Sequence, residues 1–448
     1  MLPTDDPIVI CGGVRTPIGH ISKGLCNTSP VDLMSETIKT LVKQANLPAN
    51  AVNSVLIGWV GQGVQAPNLA RVAALKSGLP ETASAYTIQN NCVSSIEAIS
   101  AAARQILTGE SEVVIAGGAE SMSTFPYVIS GSRSSKPLRS MDTLKDNWPT
   151  LWDSQEVTVM DTIEQGLTDP VQLINMAGTA EVCAQMYDIT KEAQDSYAHE
   201  SYKRALDGEV NGFYKKHTFT YAVNGTTLEK DEYPYLRENL VKKPAMLAKA
   251  GPLFDNKIYS IKKFYEDFGK FIKGKQYEEG KTKGSVTLFN SCARSDGAGA
   301  VIVTRESKAK ALNLPITAKV KSWAIYGNNP AYMGVAPLYS TDMALKKAGM
   351  TFDQIDQIEL HEPFAATCLS IFHLGKKELG QDWETRFKDG KINPNGGSIA
   401  LGHPLGATGI RLFLNLSQLF KDNPNTKTGL ITSCAGGGIG FTTIFERP

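Results

Sequence analysis

The chain has 448 residues, 42% hydrophobic and 20% charged, with a formal net charge of +1. That is an ordinary globular balance, long enough for two or three packed units, and it argues against both a disordered chain and a broadly basic nucleic-acid surface. No apolar stretch reaches the roughly 18 residues a membrane span requires, and Met1 to Asp6 carry neither a signal-peptide apolar run nor transit-peptide arginines.

Ile8 to Cys11 and Ser54 to Gly58 read as short apolar strands. Ser95 to Thr108 places Ile96, Ile99, Ala102 and Ile106 at helical spacing and stops at Gly109, a residue suited to a helix C-cap. Glu112 to Ala116 reads as a buried strand running into Gly117-Gly118. This alternation predicts a layered α/β fold. Residues 120–283 differ, being rich in Ser, Thr, Asp and Lys with few buried strands, and read as an inserted domain with helices such as Lys191 to Leu206. From Gly284 the α/β character returns. Val301 to Val303 and Ile358 to Leu360 read as strands, Ala407 to Phe420 as a helix, and Thr428 to Ser433 and Ile439 to Phe445 as closing strands around a glycine cluster. The expected division is therefore 1–119, 120–283 and 284–448, the outer parts being structural counterparts without a visible sequence repeat.

Within the insertion, Ile258, Ile261, Phe264, Tyr265, Phe268, Phe271 and Ile272 recur at helical spacing among lysines. A basic amphipathic stretch over 257–283 is expected either to cover the inserted domain or to touch a membrane surface or a partner.

Seven cysteines, at 11, 26, 92, 183, 292, 368 and 434, form no close pairs. Their spacing fits neither a disulfide framework nor a zinc motif, and a reducing, cytoplasmic setting is expected. Cys92 lies in Gln89-Asn90-Asn91-Cys92-Val93-Ser94-Ser95, just before an apolar helix, where the helix dipole favours thiolate. The same position also fits a small structural residue. His403 is wrapped in Gly396-Gly397-Ser398-Ile399-Ala400-Leu401-Gly402-His403-Pro404-Leu405-Gly406, where bare backbone lets a ligand approach. Cys434 precedes Gly436-Gly437-Gly438 between two strands, the wrong context for a dinucleotide loop but suited to aiming N–H groups at an oxyanion. His361, in His361-Glu362-Pro363-Phe364, falls at a strand end, where polar residues often line a site and exposed loop histidines are equally common.

Together these segments resemble the thiolase family, nearly end to end. Val14-Arg15-Thr16-Pro17-Ile18-Gly19, Gly117 to Ser123, Gly284-Ser285-Val286-Thr287 and Asp296-Gly297-Ala298 add to the likeness. The resemblance implies two similar α/β halves with an inserted loop domain, and acyl transfer between coenzyme A thioesters, by thiolysis of 3-ketoacyl-CoA or the reverse Claisen condensation. Cys92 would carry the acyl group and His403 would accept its proton and help hold the thioester oxygen. Cys434 would exchange the proton on the α-carbon. His361, at a place where many members have Asn, would help position an oxyanion donor, directly or through water. Backbone N–H groups of Cys92 and Gly436 would form the second oxyanion hole. Ser291 and Phe364 are expected at the substrate and pantetheine contacts. The resemblance calls for no metal and no tightly bound cofactor, coenzyme A being a substrate, and implies a homodimer or homotetramer. Gln89, Ser95, Pro363 and Ala177-Gly178 depart from the common pattern, and the His361 variant gives weight to longer 3-ketoacyl substrates. A condensing enzyme using an acyl carrier protein, and a thiolase-like binding protein without turnover, are the competing readings; the glycine cluster after Cys434 and the retention of all four site residues stand against them.

Overall fold

Successive residues along the central strands face opposite sides, and the computed structural model, which describes residue 2 and residues 5–130 and 158–448, sends the two sides to different cores. The strands are β1 (Ile8–Arg15), β2 (Gly19–His20), β3 (Ser54–Gly58), β4 (Ser84–Ile88), β5 (Val113–Ser121), β6 (Tyr127–Ser130), β7 (Thr158–Asp161), β8 (Tyr221–Val223), β9 (Thr226–Leu228), β10 (Ser295–Arg305), β11 (Ile316–Gly327), β12 (Gln357–Leu360), β13 (Thr428–Ala435) and β14 (Ile439–Glu446). Val9, Ile57, Ile115 and Ile302 join a core with Leu33, Ile38 and Leu69, from helices Pro30–Gln44 and Leu69–Lys76. Their neighbours Ile8, Leu56, Val114 and Val301 join a second core with Ile96 and Phe413, from helices Ser94–Thr108 and Thr408–Asp422. Ile431, Phe441 and Phe445 enter that second core from β13 and β14, so the central helices serve both halves. A third core sets Leu430 and Ile444 against helices Ala336–Ala348 and Ala365–Leu379.

The main sheet runs β12-β13-β14-β11-β1-β10-β5-β3-β4, with β2 pairing on β10. From the antiparallel β1–β11 pair outward, the two directions match. On one side come β10 and β5, antiparallel, then β3, parallel to β5; on the other come β14 and β13, antiparallel, then β12, parallel to β13. Cys92 precedes one central helix and His403 the other, so the two matching halves bring these residues to one place. β10, which the sequence groups with the last part, lies between β1 and β5 of the first. Its small residues let a helix come close: a Cβ on Gly299 would stand 2.7 Å from Ile410 Cγ2.

The amphipathic stretch after 257 forms a shorter helix than its periodicity suggests, Ile261–Phe268 followed by a 3-10 turn over Gly269–Phe271. Its apolar side faces inward. Ile261, Phe264, Phe271 and Ile272 are buried against Ile174, Val182, Phe254 and Ala331, while Ile258 points away into solvent. Phe264 packs its ring 4.9 Å from Phe254 and 5.3 Å from Phe268. The segment therefore covers the chain's own core; the alternative of a membrane or partner surface built on this face is corrected, because the rings that would insert are already packed. Among the described residues, no helix is long and apolar enough to cross a membrane.

Candidate active site

The turn before the Ser94–Thr108 helix is fixed by its own polar groups. Asn91 adopts a left-handed φ of 48°, which Asn tolerates better than most residues. Its Nδ2 donates to the Gly436 carbonyl at 2.8 Å, tying the turn to the glycine cluster. Ser94 Oγ accepts the Asn90 N–H at 2.9 Å and donates to the Asn91 carbonyl at 2.6 Å. Cys92 is thereby held half-buried at the pocket floor.

His403 owes its place to Gly402, whose φ is +93°; a Cβ there would sit 2.2 Å from Ser295 Oγ. That oxygen instead accepts the His403 N–H at 3.0 Å. On the ring, Nδ1 lies 2.7 Å from Thr408 Oγ1, and the Thr408 hydroxyl donates to the Pro404 carbonyl at 3.1 Å. Thr408 has one proton and has given it away, so it accepts from Nδ1–H and leaves His403 Nε2 as a bare lone pair.

His361 follows β12 directly, and its N–H donates to the Thr432 carbonyl at 2.9 Å. Its Nδ1 lies 2.8 Å from Ser398 Oγ, which also accepts from Arg411 Nη2 at 2.7 Å. With the guanidinium on one lone pair, the Ser398 hydroxyl can turn its proton to His361 Nδ1, an arrangement that leaves the His361 proton on Nε2. In that arrangement the two histidines carry opposite tautomers, one an acceptor and one a donor; their ring centroids are 4.2 Å apart. Both Nε2 atoms are buried without a hydrogen-bond partner among the described residues.

Cys434 lies at the end of β13, opposite Gly440, and is buried among Met333, Phe364 and Ala180. The following turn needs glycine at Gly438, where φ is +81° and a Cβ would come 2.0 Å from the Asn328 carbonyl. Cys92, His361, His403, Cys434, Ser291 and Phe364 all line one cavity of about 210 Å³, otherwise largely apolar. A larger hollow of about 610 Å³ by Asp188, Lys275 and Glu278 is charged and holds none of these groups. Ser291 is bridged to Phe364 and spends its hydroxyl proton on the Thr287 carbonyl at 2.6 Å.

Burial decides the charge states. It pushes the Cys92 thiol up to about 12, against the opposing pull of the Gly436 N–H and of its own N–H. Burial thus opposes the helix dipole that favours thiolate at this position, raising the thiol despite the two N–H groups. Burial also drives His403 down to about 3 and His361 well below its ordinary value, with Arg411 adding to both, and holds the Cys434 thiol well above its own. All four groups rest neutral.

Several supporting residues lay in the motifs or just beyond them without being singled out. Ser398, Thr408 and Arg411 orient the two rings. Glu362, next to His361, is fully buried and accepts from Tyr197 at 3.1 Å, Ser201 at 2.7 Å and Asn393 at 2.7 Å, pinning the inserted Lys191–Val210 helix against the His361 segment. A charged residue beside a candidate ligand in an apolar context was the available signal.

The fold and this pocket bring two thiols and two imidazoles together in one largely apolar cavity, a set suited to acyl transfer through sulfur. Comparison with known proteins agrees. The family model "Thiolase, N-terminal domain" matches residues 8–257 and "Thiolase, C-terminal domain" residues 314–447. A probable acetyl-CoA acetyltransferase of Escherichia coli is 35% identical over 98% of this chain and 99% of its own length. A probable acetyl-CoA acyltransferase of Staphylococcus aureus is 32% identical over 98% and 99%. The crystal structures of the Bacillus anthracis acetyl-CoA acetyltransferase and of human mitochondrial 3-ketoacyl-CoA thiolase superpose with TM-scores of 0.82 and 0.81, at 31% and 28% identity, each over 99% of both chains. The human protein has also been solved in complex with CoA. The chain belongs to the thiolase family and is an acyltransferase.

Proposed function

We propose that thiolysis of 3-ketoacyl-CoA by coenzyme A, and the reverse condensation, run on a two-cysteine mechanism centred on Cys92. The observation that carries it is the pair of unengaged Nε2 atoms beside two thiols in one cavity. Cys92 attacks the keto carbon as its proton passes to the bare Nε2 of His403. Because thiol and imidazole are both neutral at rest, the proton moves as the C–S bond forms and not before. The N–H groups of Cys92 and Gly436, already aimed at the sulfur, receive the oxyanion. The carbon–carbon bond then breaks, leaving an acyl thioester on Cys92 and the enolate of acetyl-CoA. His361 Nε2–H, with the protonated His403, holds the enolate oxygen, and Cys434 gives its proton to the carbon. A neutral His361 suits this task, since burial keeps it a donor without a charge. His403 then passes its proton to the Cys434 thiolate, and coenzyme A takes the acyl group as its thiol proton crosses His403 to Cys92. In the condensing direction these transfers reverse, His403 first taking the Cys434 proton so that the thiolate can remove the α-proton.

The three-part organisation at 1–119, 120–283 and 284–448 fits this role. The inserted part supplies Met122, Leu167, Met176 and Leu253 to the pocket lining, an apolar wall for acyl chain and pantetheine alongside Ser291 and Phe364. Coenzyme A enters as substrate. β4, the half-exposed edge of the sheet near the Cys92 turn, fits a homodimer, alone or within a homotetramer. Seven unpaired cysteines support a cytoplasmic setting. The test is thiolysis of 3-ketoacyl-CoA substrates from short to long chains, with the parent beside Cys92→Ser and Cys434→Ser. Turnover lost in both variants supports the scheme; no turnover by a folded parent that still binds coenzyme A returns the chain to a binding role.

A further inference from the structure

Cys92 and one ring nitrogen from each of His361 and His403 lie within 4.8 Å of one another. The Nδ1 atoms are engaged by Ser398 and Thr408, so the nitrogens left to converge are the two buried, unpartnered Nε2 atoms. We propose that Cys92 Sγ, His361 Nε2 and His403 Nε2 form a three-ligand site for a soft divalent cation of the zinc class, whose binding reversibly blocks the nucleophile.

Four observations support it. Thiolate and imidazole are the donors such cations prefer. At zinc bond lengths of about 2.3 Å to sulfur and 2.0–2.1 Å to nitrogen, tetrahedral ligands stand roughly 3.5 Å apart, so each side chain needs to close by about 1 Å. Each histidine already has a hydroxyl on its other nitrogen, the outer support that fixes ring orientation in metal sites. The pocket supplies the fourth position for water, as in sites with three protein ligands.

The proton balance follows from the tautomers. His403 offers its lone pair as it stands. His361 moves its proton from Nε2 to Nδ1, and the Ser398 hydroxyl turns its own proton away so that its second lone pair accepts it beside the Arg411 contact. The Cys92 S–H bond breaks, a sulfur–metal bond forms, and one proton leaves to solvent; no electrons are transferred. Binding therefore strengthens as pH rises. Arg411, behind Ser398, opposes the cation, and the Cys92 thiolate offsets one of its charges.

The block on turnover rests on the acyl-transfer reading, whereas metal binding does not, so the two fail separately. The test is titration of the purified, thiol-reduced and chelator-treated parent with Co2+, followed by displacement with Zn2+. We expect a sulfur-to-cobalt charge-transfer band with tetrahedral visible bands, saturating at one metal per chain, with one proton released. The band should vanish in Cys92→Ala. The visible bands should lose tetrahedral intensity in His361→Asn, and affinity should fall about 10- to 100-fold in Ser398→Ala, which keeps all three ligands. Zn2+ should inhibit thiolysis in competition with substrate, and a chelator should restore it. No charge-transfer band in the parent, a band that survives Cys92→Ala, or unchanged affinity in His361→Asn overturns the proposal.

Discussion

Ser398→Ala separates orientation from chemistry at this site. Ser398 touches no substrate in the proposed scheme; it links Arg411 Nη2, at 2.7 Å, to His361 Nδ1, at 2.8 Å, and thereby keeps the His361 proton on Nε2. Outright removal of an oxyanion-hole donor costs about 10²–10³ in rate. The alanine variant keeps the donor atom and removes what orients it, so the expected loss is about 10- to 100-fold in kcat, roughly 1.4–2.7 kcal/mol, with KM little changed. Stability should fall too. Arg411 Nε and Nη1 have no hydrogen-bond partner among the described residues, and the substitution leaves Nη2 buried and unpaired as well, costing about 1–3 kcal/mol. Steady-state thiolysis gives the first quantity and urea denaturation the second. A kcat within about twofold of the parent, alongside the expected loss of stability, would make Ser398 a purely structural residue and refute the tautomer argument.

Cys434→Ala should lower thiolysis and condensation by about 10²–10⁴ while leaving Cys92 open to acylation by acetyl-CoA, read by intact mass; failure to acylate would mean that Cys434 acts earlier than proposed. Glu359 and Glu120 are buried carboxyls raised from 4.5 to about 8 and about 7, chiefly by burial. Their folded-state protonation stabilises fully below about 4.5 and is lost as pH climbs through 7 and 8, so urea midpoints should fall over that window. Glu359→Gln should flatten the fall, and an unchanged slope would remove Glu359 as its source. Phe264→Ala should cost about 3–5 kcal/mol, because the ring is fully buried; the parent should not co-sediment with anionic vesicles, and sedimentation reversed by Phe264→Glu in a folded protein would restore the membrane reading.

The central elements were legible because burial leaves a clear period. Ile96, Ile99 and Ile106 announce their helix, and the apolar cores of β1, β5 and β10 announce strands, though each strand runs on through residues the pattern does not mark, such as Gly117-Gly118 in β5. Two of the candidate site residues were legible from glycine: Gly402 and Gly436 to Gly438 flag His403 and Cys434 because bare backbone has few other uses there. Charge state was not legible. Local sequence placed Cys92 beside a helix start, and only the assembled pocket shows how much solvent it has lost. Nor was the direction of the Phe264 face, since an amphipathic period reports that a side is apolar without saying what covers it. The tautomers of His361 and His403 depend on Ser398, Thr408 and Arg411, from segments that meet only in the folded protein.

The place of β10 between β1 and β5 also sets an order of events during synthesis. When Ser121 has left the ribosome, β1 cannot take its final place beside β5, because the strand that separates them has not been made. The inserted domain must be synthesised first, and only then can Ser295–Arg305 slot between two existing edges. Until that point β1 and β5 each present an unpaired apolar edge, the kind of surface on which nascent chains aggregate. A truncation ending before β10 should therefore be insoluble, and one that includes it should gain a closed first half.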